Sequence, residues 1–129
     1  RVEDAIEAVR SAQEDGIVPG GGTTLLRCSE FTIDAENEDQ KTGSEIIRRS
    51  LQSPIRQMAL NAGTSPDIIA DRVSHCSDLA TGWDFKKGEL VDLFDAGIID
   101  PAKVTKTALK NAVSVASTLV TTHGSIIEE

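Results

Sequence analysis

Apolar residues recur along much of this chain every three to four positions, the spacing that gathers side chains on one face of a helix. Val2, Ile6 and Val9 keep that spacing, with Ala5 and Ala12 beside them and Glu3, Glu7 and Arg10 elsewhere on the wheel. This predicts a first helix that stops near Gly16, a residue suited to a helix C-terminus. A second helix is expected after Gly22, carrying Leu25, Leu26 and Cys28. The stretch 32–41 is polar and acidic and reads as a loop leading to a helix start. A third helix over 44–52 turns Ile46, Ile47 and Leu51 inward.

Three prolines mark further starts. Ser53-Pro54, Ser65-Pro66 and Asp100-Pro101 each set a capping side chain before a proline at the first helical position, where its missing N–H costs nothing. They predict helices over 54–61, 66–74 and 101–122. In the last, Val104, Ala108, Ala112, Val115, Ala116 and Leu119 form one apolar stripe, away from Lys103, Lys106 and Lys110. Its small residues, Ser117 included, allow a close neighbour, and the reading is a buried central helix. Gly82-Trp83-Asp84-Phe85 reads as a short strand or hairpin arm, and Ser125-Ile126-Ile127 as an edge strand. The expected fold class is mainly α: a helical bundle with one or two short β segments and an aliphatic core, aromatics making up only 3%.

Composition narrows the function. The 129 residues suffice for one domain with a real core. The chain opens at Arg1 directly in a helical pattern, as expected of a piece of a longer protein. Net charge is −8, from 21 acidic and 13 basic residues, and no basic stripe of the kind nucleic acid requires is visible. No apolar run reaches the length of a membrane span, so no membrane partner is expected. Cys28 and Cys76 fit neither a disulfide framework nor a metal-ligand spacing, and His75 beside Cys76 lacks the other ligands a zinc site needs. Two isolated thiols suit a reducing compartment.

The string Glu14-Asp15-Gly16-Ile17-Val18-Pro19-Gly20-Gly21-Gly22-Thr23-Thr24-Leu25 carries the most chemistry. A bare glycine backbone allows close approach to a ligand, and the first N–H groups of the following helix suit an anion such as a phosphate. On spacing alone, a plain flexible turn is the commoner explanation.

Five segments in one order change that weighting. They are Arg1-Val2-Glu3-Asp4-Ala5, the glycine string, Asn37-Glu38-Asp39-Gln40-Lys41-Thr42-Gly43, Leu60-Asn61-Ala62-Gly63, and Ala96-Gly97-Ile98-Ile99-Asp100-Pro101-Ala102-Lys103-Val104-Thr105. Together they resemble the group I (GroEL-type) chaperonins over essentially the whole chain. The resemblance implies an ATP-driven protein-folding machine of seven-membered rings, with unfolded polypeptide clients and a smaller co-chaperonin as partners. Residues 1–15 then match the end of an intermediate-domain helix, and 16–129 the C-terminal half of the equatorial ATP-binding domain.

The resemblance also carries roles onto particular residues. Asp4 matches the catalytic aspartate; a carboxylate there orients the attacking water and helps take its proton. Gly21 matches the glycine whose backbone lies against the nucleotide, with Gly20 and Gly22 needed for the turn. Asp100 matches an aspartate that contacts the ribose and also suits an N-cap before Pro101. Asp84, Phe85 and Lys86 fall near the adenine; Asp84 fits the family pattern, while Phe85 and Lys86 are larger than the usual small residues. ATP and Mg²⁺ are the cofactors implied for the intact parent, and no metal ligand is assigned within this chain. The phosphate-cradling Gly-Asp-Gly-Thr-Thr loop does not occur here. The chain alone is therefore expected to lack ATPase activity and to self-associate through apolar surface meant for missing parts. Bacterial cytoplasm, mitochondrial matrix and plastid stroma all suit such a protein. The alternatives are a non-enzymatic helical interaction module and a divergent chaperonin-like protein with altered nucleotide use.

Overall fold

Leu51, Ile55 and Ala59 lie one turn apart on a single helix, α3 (Glu38–Asn61), and are 3%, 1% and 0% exposed. The structure, a computed structural model, describes residues 2–31 and 35–128; the side chains of Val2, Asp4 and 122–128 lie outside the described residues. Around α3 run α1 (Val2–Asp15), α2 (Thr23–Ser29), α4 (Pro66–Ser74) and α5 (Ala102–Glu128). The strands are β1 (Ile17–Pro19), β2 (Thr81–Asp84), β3 (Glu89–Asp92) and β4 (Ile99–Pro101). The architecture is mainly α, with two small antiparallel ribbons, β1–β4 and β2–β3.

The core forms where α2, α3, α4 and β2 meet. Leu26, Ile55, Ala59, Ile69, Ala70, Val73 and Trp83 cluster there, and Phe85 packs on the cluster from the side. Each large aliphatic side chain buried this way stabilises the fold by about 1.5–3 kcal/mol. That burial explains the first departure from the sequence reading. The helices expected over 44–52 and 54–61 are one, and Pro54 sits inside it. A mid-helix proline costs ~3 kcal/mol because it leaves the carbonyl four residues back without its donor. Ile55 and Ala59, beyond the proline, bury too much surface for the helix to break there. Ser53 therefore stands within α3 and starts nothing.

Helix α3 also begins earlier than expected, inside the stretch read as loop. Asn37 Oδ1 accepts the Gln40 N–H at 2.9 Å, and Gln40 Oε1 accepts the Glu36 N–H at 2.7 Å. This reciprocal arrangement resembles a capping box and fixes the start. Ser65 caps α4 as expected, ahead of Pro66 at the first helical position.

α5 corrects three expectations. It is half-buried rather than central: Ala112 and Ala116 are buried, yet Val104, Val115 and Leu119 are 57%, 51% and 50% exposed. Its main partner is α3, which covers one side of an apolar stripe wider than a single helix can hide. Gly43 of α3 meets it closely, since a Cβ there would stand 3.5 Å from Val120 Cγ2. Residues 125–127, expected as an edge strand, belong to α5. Finally, α5 starts at Ala102, so Pro101 and Asp100 lie in β4 and Asp100 is not its immediate N-cap.

Candidate functional site

Two three-residue strands far apart in the chain build the site. β1 pairs with β4 in the register Ile17 to Pro101, Val18 to Asp100 and Pro19 to Ile99. The Gly20 N–H extends the ladder to Ile98 O at 2.8 Å. The glycine turn thus leaves β1 directly beside the strand that carries Asp100. Thr24 Oγ1 donates back to Pro19 O at 2.7 Å and closes the turn from the α2 side.

Each glycine of the turn answers a different constraint. A Cβ on Gly20 would come within 3.1 Å of the Ile99 backbone. Gly22 has φ +76°, and a Cβ there would strike Ile55 N at 2.7 Å and Ile55 Cα at 2.9 Å. Gly21 has φ +65°, but its Cβ would meet only Ile98 Cγ2 at 3.5 Å and Trp83 O at 3.9 Å, ordinary contacts. Of the three, Gly21 has the least encumbered face, so it is the position where a ligand can approach the backbone. Gly20 and Gly22 are occupied by the fold itself.

Asp100 is half-buried, and burial pushes its carboxyl above the usual carboxylate range. Its carboxylate has no hydrogen-bond partner among the described residues, so its acceptor capacity is open. Asp84 is different. It is 7% exposed, and its Oδ1 accepts the N–H groups of Lys86 at 2.9 Å and Lys87 at 3.1 Å. Its carbonyl takes the Gly88 N–H at 2.7 Å. One carboxylate oxygen of Asp84 is thus spent on shaping the tip of the β2–β3 hairpin. Phe85 turns toward the core cluster and is half-buried, whereas Lys86 is exposed. Trp83, between Gly21 and the core, carries the Arg72 guanidinium 5.3 Å from its ring centroid, a cation–π contact.

The fold therefore gathers the Gly21 backbone, the strand that carries Trp83 and Asp84, and, through the β1–β4 pairing, Asp100. Asp4 lies in the first turn of α1, and its side chain is outside the described residues. Among the described residues no three acidic, histidine or cysteine side chains converge for a metal ion. Surface grooves also lie away from these residues. One of about 430 Å³ runs between α3 and α5 past Gly43, Ile47 and Val120, and another of about 390 Å³ runs between α1 and α5 past Ser11 and Val104.

Sequence reasoning missed Arg27. Its guanidinium reaches Cys76 O at 2.9 Å, Asp78 O at 3.2 Å and Thr81 O at 3.3 Å, joining α2 to the loop that leads into β2. No local pattern signals such contacts, because the acceptors are backbone groups 49–54 residues away.

A sequence profile of the TCP-1/cpn60 chaperonin family matches residues 1–129, the whole chain. The chain belongs to the TCP-1/cpn60 chaperonin family. Among solved structures, this chaperonin chain is similar to a group III chaperonin crystallised in the open state. The two share 28% sequence identity with a TM-score of 0.64 over 86% of this chain. The chaperonin chain spans about a quarter of that protein, 24% of its length.

Proposed function

We propose that this chain forms one wall of the ATP site in a group I chaperonin subunit that assists protein folding. Gly21 offers its backbone to the nucleotide, and Asp100 accepts hydrogen bonds from the ribose hydroxyls. The Trp83–Lys86 segment borders the adenine. Asp4, brought over the nucleotide by movement of α1, orients the attacking water. Residues 1–15 are the end of the intermediate domain and 16–129 the C-terminal half of the equatorial domain. Heptameric rings, polypeptide clients and a co-chaperonin belong to the subunit as a whole, in bacterial cytoplasm or an organelle derived from it.

The pairing of Val18 with Asp100 supports this reading, because it ties the strand bearing a half-buried carboxylate, unpartnered among the described residues, to the strand that leads into the glycine turn. The donor set suits a nucleoside: hydroxyls call for an acceptor without competing partners, and Asp100 is one. The metal and the phosphates are assigned to the rest of the subunit. The group I assignment rests on Asn37-Glu38-Asp39-Gln40 and Gly97-Ile98-Ile99-Asp100-Pro101.

The test is calorimetric titration of the full-length subunit with ADP. A hydrogen bond to a charged group contributes about 1.5–3 kcal/mol, so Asp100→Ala should weaken binding by ~10-fold or more. An unchanged dissociation constant removes the ribose contact and the reading with it.

A further inference from the structure

We infer that Arg27 is a positioning residue that sets the spacing between the glycine turn and the strand bearing Trp83 and Asp84, and so governs how the nucleoside end of the ligand fits. The inference rests on the nucleotide reading above. Thr23 and Arg27 stand one turn apart on α2, so both face the same neighbour. At the start of α2, Thr23 is fully buried, and a Cβ on Gly82 would come 2.5 Å from its Oγ1. Nearby, a Cβ on Gly21 would lie 3.9 Å from Trp83 O. One turn later, the Arg27 fork gathers the carbonyls of Cys76, Asp78 and Thr81.

Those three carbonyls point the negative ends of their dipoles toward one place. Without a cation between them they repel, and the loop carrying them relaxes. The loop ends at Thr81, the first residue of β2, two positions before Trp83. Its relaxation therefore moves the outer edge of β2 against Gly21. A lysine cannot replace the clamp, because its donors radiate from a single nitrogen while the guanidinium spreads them in a plane. Arg27 needs no contact with the ligand for this; it acts through the backbone of β2.

The experiment uses the full-length subunit and steady-state ATP hydrolysis, with variants confirmed as folded by circular dichroism. Arg27→Ala is expected to raise KM for ATP by ~10-fold while kcat stays within ~2-fold, since ground-state fit is disturbed and the hydrolytic groups are not. Added methylguanidinium is expected to restore KM in Arg27→Ala, a response that mere loss of stability would not give. Arg27→Lys, which keeps the charge, should fall between wild type and Arg27→Ala. A folded variant with unchanged KM, or one that methylguanidinium fails to restore, overturns the inference. Asp100→Ala runs alongside. If it raises KM while Arg27→Ala does not, the nucleotide reading stands and the positioning role falls. If neither variant changes KM, both fall.

Discussion

Gly22→Ala should be one of the most damaging methyl additions in this chain, and the structure separates its cost into two parts. Gly22 has φ +76°, a left-handed conformation that costs an L-residue ~1–2 kcal/mol. The added Cβ would also stand 2.7–2.9 Å from Ile55 N, Cα and Cβ. Two of those atoms are backbone of α3, at a residue 1% exposed, so no side-chain rotation relieves the clash. Overpacking of that kind costs ~1–3 kcal/mol. The sum is ~3 kcal/mol, a large share of the roughly 5–15 kcal/mol that holds a domain folded. Gly63→Ala supplies the control, because Gly63 has φ +73° with nothing within 4 Å of a Cβ and so pays the backbone cost alone. In urea denaturation, with a slope near ~1.5 kcal/mol per molar, Gly22→Ala should lower the midpoint by ~2 M and Gly63→Ala by ~1 M or less. Equal midpoints for the two variants would refute the claim that the turn is pressed against α3.

Three further outcomes are expected. Asp100→Asn should raise the thermal midpoint at neutral pH: burial raises the folded-state pKa, so the charged form is penalised once the pH exceeds that raised value. As pH falls through the raised pKa toward the ordinary carboxylate value the penalty disappears, so the wild type should gain on the variant in acid; parallel melting curves across pH would contradict this. Pro54→Ala should stabilise the chain by ~1–3 kcal/mol in chemical denaturation, because an N–H is returned to the middle of α3, and a loss of stability would show that the proline is needed where it stands. The isolated chain should release no phosphate from Mg-ATP above background in a steady-state assay, and turnover comparable to an intact chaperonin would overturn the assignment of the phosphate site to other parts of the subunit.

Much of the helical layout was legible because it is local. The Ser65-Pro66 cap, the stop at Gly16 and the helix after Gly22 each need only neighbouring residues. The errors arose where distant packing overrode a local signal. Ser53-Pro54 carries the same start signal as Ser65-Pro66, but Leu51, Ile55 and Ala59 bury on both sides of it and keep α3 whole. The β1–β4 ribbon was not foreseen, since three-residue strands about 80 positions apart leave no periodicity to read. That ribbon is what sets Asp100 beside the glycine turn. Nor does the sequence show that Asp84 holds the hairpin tip or that Phe85 packs on the core, since both contacts depend on the β2–β3 turn and on distant helices. Exposed Ile6 and Val9 on α1, with Val104 and Leu119 on α5, are the apolar surface expected of a part that packs against more protein.

The β1–β4 ribbon also has a mechanical consequence. Gly16, at φ +85°, is the only residue between α1 and β1, and its carbonyl accepts the Ala102 N–H at 2.9 Å where α5 begins. α1 is thus a lever roughly 20 Å long, at 1.5 Å per residue, whose fulcrum is bolted to the base of α5. A rotation of α1 about Gly16 would therefore pull on the ribbon in which Val18 pairs with Asp100 and Gly20 with Ile98, so the arm and the turn would shift as one piece.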